Sequence, residues 1–184
     1  MKFTKLSSAM TLALAVSAAQ AATATNTFNV TLTVTGTCDA TAFGAIATSP
    51  VAFGTHTAAA TSGALQATNG AGTTLKVQCS KGLPVTIGLK PASATAGAST
   101  GLGSMSNGTD VIAYQLTQPS GSPLAAAYVT NWGDIIGTNT LAITGNGLAV
   151  ANGVNVPVSA KIAADQLNVS AGNYTEAVLA TLNY

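Results

Sequence analysis

The amino-acid sequence predicts an all-β protein, because apolar and polar residues alternate in short segments that turn dipeptides separate. Alternation places every second side chain on one face of a strand. After residue 21 the Ala-rich stretches are short and are broken by Thr, Ser and Gly, so no helix is predicted there. Many short strands with frequent turns are typical of a sandwich or a barrel.

The alternating segments begin at Phe28, Leu75, Val85, Ile112, Val154 and Tyr174. Dipeptides that accept the positive φ angles of tight turns lie between them: Asn69-Gly70, Asn107-Gly108, Asn146-Gly147 and Asn152-Gly153. The third segment follows the second after the turn Gly82-Leu83-Pro84, so these two are predicted to form a hairpin. Pro157 has no amide hydrogen, so its strand is predicted to lie at an edge or to be bulged there.

The first residues have the pattern of a secretory signal peptide. Lys2 and Lys5 supply the positive start, an apolar run follows, and Ala19-Gln20-Ala21 is a small-residue cleavage site. The apolar run is too short to span a bilayer. Cleavage after Ala21 leaves 163 residues, which is enough for one domain with its own core. The sequence therefore predicts an exported protein with a signal peptide over residues 1–21.

The protein carries very little charge. Charged residues make up 6% of the chain and Arg is absent. Loss of Lys2 and Lys5 with the signal peptide leaves four Lys against five acidic residues, a net charge of −1. Such a balance does not support nucleic-acid binding. A surface with so little charge favours association, so it suits packing against copies of the same chain as well as an ordinary bacterial surface protein.

The sequence contains two cysteines, Cys38 and Cys79, and the signal peptide directs them to an oxidising compartment. A single disulfide between them is therefore predicted. A metal site needs more ligands, and His56 is the only histidine. His56 lies beside no nucleophile motif, and the five acids are scattered, so we predict no catalytic residue, no metal and no cofactor. Tyr128 and Trp132 are the pair considered as a small sugar-stacking platform.

Several segments, in this order, resemble the spore coat protein U family. They are the alternating N-terminal segment, the first cysteine, Pro50–His56 (PVAFGTH), Leu75–Ile87 (LKVQCSKGLPVTI), Val111–Leu116 and Gly172–Tyr184. The resemblance covers nearly the whole mature chain. The departures are His56, where the family commonly has Tyr, and Glu176, where Asp is frequent. Pilus members of this family are subunits of archaic chaperone-usher pili.

The resemblance implies an incomplete immunoglobulin-like, Greek-key β-sandwich that lacks its last strand and is completed by a donor strand from a neighbouring subunit. It divides the mature chain into a donor segment, residues 22–36, and a pilin domain, residues 37–184. The matching donor side chains are Phe28, Val30, Leu32 and Val34. The edge of the acceptor groove is assigned to Val178, Ala180, Leu182 and Tyr184.

The leading hypothesis is a structural subunit of a surface pilus that polymerises by donor-strand exchange, with a role in adhesion and biofilm formation. Its implied partners are copies of itself or other pilins, a periplasmic chaperone and an outer-membrane usher. It is then exported through the periplasm to the cell surface. The alternative is a self-contained secreted β-sandwich, such as a coat protein or a carbohydrate-binding module, whose first strand pairs within its own chain. Neither hypothesis makes the protein an enzyme.

Overall fold

The computed structural model describes residues 23–44, 51–68, 75–93, 97–120 and 128–184. The predicted signal peptide and the Asn69-Gly70 turn lie outside these ranges. The chain divides into two compact units, Met1–Val34 and Thr35–Tyr184. In the first unit, residues 23–34 form no helix or strand. The assignment of residues 1–21, 22–36 and 37–184 to separate roles stays a prediction.

The second unit is all-β, as predicted. Its described residues contain one α-helix of five residues, α1 (Ala40–Gly44). Two 3-10 turns lie at Ala98–Thr100 and Val150–Asn152. The strands are β1 (Leu65–Thr68), β2 (Leu75–Val77), β3 (Pro84–Pro91), β4 (Leu102–Ser106), β5 (Val111–Thr117), β6 (Leu141–Thr144), β7 (Val154–Val156), β8 (Ser159–Ile162) and β9 (Val178–Asn183).

All strand pairs are antiparallel. One sheet has four strands in the order β1-β8-β5-β4, a second has three in the order β6-β3-β9, and β2 pairs with β7. Only β4 and β5 are neighbours both in sequence and in space, so most connections cross between sheets. The Asn107-Gly108 turn closes this β4–β5 hairpin, with Gly108 at φ +92°.

A single apolar core contains side chains from all three sheets. Strand β3 contributes Val85, Ile87 and Leu89, which alternate with Thr86, Gly88 and Lys90. Ile112, Tyr114 and Leu116 of β5 and Ala160 and Ile162 of β8 supply the four-stranded side. Because both sheets bury their alternating apolar faces in one core, the domain is a β-sandwich.

The loop before β9 contains a tyrosine corner, a feature of immunoglobulin-like sandwiches. The phenol of Tyr174 donates a 2.7 Å hydrogen bond to the carbonyl oxygen of Ser170, four residues upstream. The side-chain amide of Asn107 donates to the same phenol oxygen at 3.0 Å. A four-stranded sheet opposite a three-stranded one and a tyrosine corner before the last strand together fit the predicted immunoglobulin-like sandwich.

The predicted hairpin between the Leu75 and Val85 segments is wrong. Strand β2 pairs with β7, whereas β3 pairs with β6 and β9. The intervening turn, with Gly82 at φ +80°, sends the chain from one sheet to another. Alternation identifies the buried face of a strand but not its neighbour.

Pro157 interrupts its segment, which becomes the separate strands β7 and β8. Gly153 has a φ of −60°, so Asn152-Gly153 is not a positive-φ turn.

Candidate functional site

Strand β9 lies at the edge of the three-stranded sheet. It pairs with β3 over six residue pairs, from Thr86 opposite Asn183 to Pro91 opposite Val178. Strand β6 occupies the other side of β3. Among the described residues, no strand pairs with the outer edge of β9. This edge therefore presents backbone N–H and C=O groups that another strand can pair with.

The apolar face of β9 is only partly covered. Ala180 and Leu182 pack against the core and are half-buried. Their partners in β3, Leu89 and Ile87, are 2% and 0% exposed. Val178, on the same face of β9, is 38% exposed. Side-chain burial thus falls from β3 to β9, so the apolar face of the last strand is less covered than that of its neighbour.

Three of the four predicted groove residues, Val178, Ala180 and Leu182, lie in β9. Tyr184 follows the strand and is exposed. Together with Thr86 of β3 and Asn183 of β9 it lines a shallow depression of about 530 Å³. The role of these four residues as an acceptor edge stays a prediction.

The N-terminal segment presents the complementary pattern. Its four alternating apolar side chains, those predicted to be the donor side chains, are between 80% and 89% exposed: Phe28, Val30, Leu32 and Val34. Exposure of four large apolar side chains at alternating positions is a strong driving force for association. Their role as donor side chains also stays a prediction.

The carboxylate of Glu176, two residues before β9 begins, contacts both the three-stranded and the four-stranded sheet. Its Oε1 atom accepts a 2.5 Å hydrogen bond from the backbone N–H of Ser93, just after β3. Its buried Oε2 atom faces Gly103 of β4 and the phenol of Tyr114 in β5. A Cβ at position 103 would lie 2.5 Å from Oε2, so only glycine leaves room for this contact. Burial of the phenol, and then the Glu176 carboxylate, raise the pKa of Tyr114. In the sequence, Glu176 stands out only as a departure from the family, and no sequence pattern indicates its contacts.

A polar cluster holds the loop before β9 to the β4–β5 turn. The Oδ2 atom of Asp110 accepts a 2.7 Å hydrogen bond from the backbone N–H of Ser170. Asn107 donates to the hydroxyl of Ser170 at 3.0 Å and to the phenol of Tyr174. Hydrogen bonds from the side chain and then the backbone of Ser170 hold the pKa of the Asp110 carboxyl below its usual range.

This lowered pKa has a consequence for stability at acid pH. The charged form of Asp110 is favoured in the folded state. The stabilisation that this charged form provides is therefore complete above about pH 4 and is lost as the pH falls through the lower folded-state pKa. We expect the free energy of unfolding of Asp110→Asn and of the wild type to converge as the pH falls from about 4 to about 2. Urea unfolding over this range measures it. A difference that stays constant with pH would contradict the role of this carboxylate.

The predicted disulfide between Cys38 and Cys79 is present, with the two Cα atoms 4.0 Å apart. Four hydrogen bonds surround it. The backbone N–H of Thr37 donates to Ser80 Oγ at 3.0 Å, and the N–H and hydroxyl of Ser80 donate to Thr37 O at 2.9 and 3.2 Å. The N–H of Asp39 donates to Gln78 O at 2.8 Å. The chain that follows the N-terminal segment is therefore attached to the end of β2 covalently and by backbone bonds.

Trp132 is fully buried, and its indole N–H donates a 2.8 Å hydrogen bond to the carbonyl oxygen of Ile87. A stacking platform made of Tyr128 and Trp132 is therefore wrong, because a buried ring cannot stack on a sugar.

The Nε2 atom of His56 lies 2.8 Å from the carbonyl oxygen of Phe53. The described ranges contain no group of three or more His, Cys, Asp or Glu side chains that could hold a metal ion. Within the same ranges, no helix has the length and apolar character needed to cross a membrane.

These features define a class of protein: an immunoglobulin-like β-sandwich whose last strand, β9, has a strand partner on one side only among the described residues, preceded in the chain by an exposed alternating apolar segment. The chain belongs to the Spore Coat Protein U domain family, whose model matches residues 24–181. No curated protein is matched.

One similar solved structure is the crystal structure of the CsuC-CsuE chaperone-tip adhesion subunit pre-assembly complex from the archaic chaperone-usher Csu pili of Acinetobacter baumannii. The identity is 14% and the TM-score is 0.42. The match covers 83% of this chain and 40% of that one, so this chain spans less than half of the length of the solved chain.

Proposed function

We propose that this protein is a structural subunit of a chaperone-usher surface pilus that polymerises by donor-strand exchange. The observation that carries the proposal is the presence, among the described residues, of an edge strand whose outer side is unpaired and whose apolar face is partly covered, together with an exposed segment that has alternating apolar side chains. An open edge of this kind is a liability for a secreted protein unless another strand covers it.

The N-terminal segment has the properties that strand addition requires. Backbone hydrogen bonds supply affinity, and side chains at alternate positions enter the core and fix the register. Each apolar side chain that becomes fully buried contributes about 1.5 to 3 kcal/mol. The four exposed side chains, from Phe28 to Val34, therefore support a joint between subunits that dissociates very slowly.

The partners and the location follow from this mechanism. A periplasmic chaperone covers the open edge of each newly exported subunit. At the outer-membrane usher, the N-terminal segment of the next subunit replaces the chaperone. The resulting polymer lies on the cell surface, where it serves adhesion and biofilm formation. Removal of the predicted signal peptide frees residues 22–36 for this role.

The proposal is tested with two matched variants of the full mature chain, Leu32→Asp and Thr33→Asp. Both add one negative charge to the same exposed segment, but only position 32 belongs to the apolar set. Burial of Leu32 is worth up to about 3 kcal/mol, so Leu32→Asp is expected to weaken assembly by about 100-fold or more. Thr33→Asp is expected to assemble as the wild type does. Size-exclusion chromatography with light scattering after refolding measures the polymer.

If both variants lose assembly to the same extent, charge and not strand register is responsible. If Leu32→Asp assembles like the wild type, the N-terminal segment is not the donor. Either outcome would contradict the proposed mechanism.

A further inference from the structure

We propose that the Cys38–Cys79 disulfide is a mechanical clamp that carries tension from the N-terminal segment directly to β3. The inference rests on the proposed function for the origin of the tension, since a polymer under flow pulls each subunit between its own N-terminal segment and the strand that it holds beside β9. It concerns how this particular chain transmits that force.

The covalent path through the bridge is short. Tension applied to residues 35–37 reaches Cys38 and crosses to Cys79. After four intervening residues β3 begins at Pro84, and β3 is the strand that pairs with β9. The path from one polymer joint to the next therefore uses the bridge, the turn after it and the β3–β9 ladder.

The residues between the two cysteines lie outside this path. The cysteines are 41 positions apart in the sequence. The bypassed stretch includes α1, β1 and β2. At about 3.6 Å for each extended residue, the bypassed chain corresponds to about 150 Å of length. While the bridge is closed, none of this length can be drawn out by tension between the two joints.

Without the bridge the same tension acts first on weak attachments. The short ladder around Thr37 and Ser80, with the bond from Asp39 to Gln78, is the first to bear it. Next come α1, whose Phe43 lies in the core, and the stretch between residues 51 and 64, in which Val51 and Phe53 pack against the core. The described backbone bonds of this stretch to the rest of the domain are those of Ala59 to Leu167 and of Ser62 with Asp165. Segments held by a few exposed hydrogen bonds open at lower cost than the core strands. We therefore expect this stretch to peel away before the β3–β9 ladder breaks.

The test is single-molecule force spectroscopy on the mature chain carrying a copy of residues 22–35 after Tyr184. One handle is attached at Thr23 and the other after the copy, so that force enters and leaves as in the polymer. We expect the oxidised protein to show no extension step before the main unfolding step. The double variant Cys38→Ser/Cys79→Ser is expected to show an additional step at lower force, releasing up to about 150 Å.

A control keeps the bridge closed and moves the first handle to Ala60, inside the bypassed stretch. The additional step is expected to return in this geometry, although the disulfide is intact. Two results would overturn the clamp: a double variant that unfolds in one step at unchanged force, or an oxidised protein pulled from Ala60 that shows no early step. Urea unfolding of the same fused protein separates this question from the proposed function, because a copy that adds no stability refutes donor-strand completion and not the clamp.

Discussion

Removal of residues 22–35 from the mature chain is expected to leave a domain that aggregates, and fusion of a copy of these residues after Tyr184 is expected to convert it into a stable monomer. The truncated domain keeps the open edge of β9 and the half-covered side chains of Ala180 and Leu182. The fused copy supplies the missing strand within one molecule, where its effective concentration is in the millimolar range or above. Four buried apolar side chains predict a gain of at least about 5 kcal/mol in the free energy of unfolding.

Urea unfolding combined with light scattering measures both effects. A fused copy carrying Val30→Asp and Leu32→Asp is the matched control, because it has the same length and attachment but cannot bury its apolar set. The control is expected to behave like the truncated domain. A truncated domain that is already a stable monomer would favour the self-contained β-sandwich, in which no strand is missing.

Replacement of Trp132 by Ala is expected to lower the free energy of unfolding by about 3 to 5 kcal/mol, the usual cost of deleting a large buried aromatic side chain. Trp132 has no exposed surface, and its indole N–H holds the carbonyl oxygen of Ile87. Ile87 lies in β3 between Leu141 of β6 and Leu182 of β9. Loss of Trp132 therefore weakens the sheet that supports the open edge.

The same substitution distinguishes the proposed pilus subunit from the alternative, a carbohydrate-binding module. If Trp132 were part of a sugar platform, Trp132→Ala would reduce sugar binding and leave stability nearly unchanged. Tyr128→Ala is the control, since Tyr128 is only partly buried. The hydrogen bond of Tyr128 to Lys161 uses its backbone carbonyl, which the substitution retains. Urea unfolding of the fused, self-complemented form measures both variants, and a loss below about 1 kcal/mol for Trp132→Ala would contradict its structural role.

Sequence reasoning identified the strands that bury one face. The alternating residues of β3 and β5 are the ones that fill the core, because a period of two determines which side chains share a face. It missed β1, β4 and β6, where small or polar residues such as Ala67, Gly103 and Thr144 obscure the alternation.

The contacts that hold the residues before β9 against the other strands could not be predicted from the sequence. Gly103 and Tyr114 face each other in the β4–β5 hairpin, whereas Glu176 is far along the chain and reaches them only because the residues before β9 pack beside this hairpin. The residue type of Trp132 suits sugar stacking, but the fold buries the ring completely. The residue type limits which interactions a side chain can make, but only the packing of the fold determines which groups the side chain contacts.

The sequence by itself determined the all-β class, the disulfide and the alternating N-terminal pattern, since each depends on local spacing or on the number of residues of one type. Only the tertiary structure decided which strands are neighbours, so only it placed β9 at an edge with a half-covered apolar face. The physical reason is that alternation specifies the face of a strand, whereas its partner is selected by long-range packing and by turns that carry the chain from one sheet to the other.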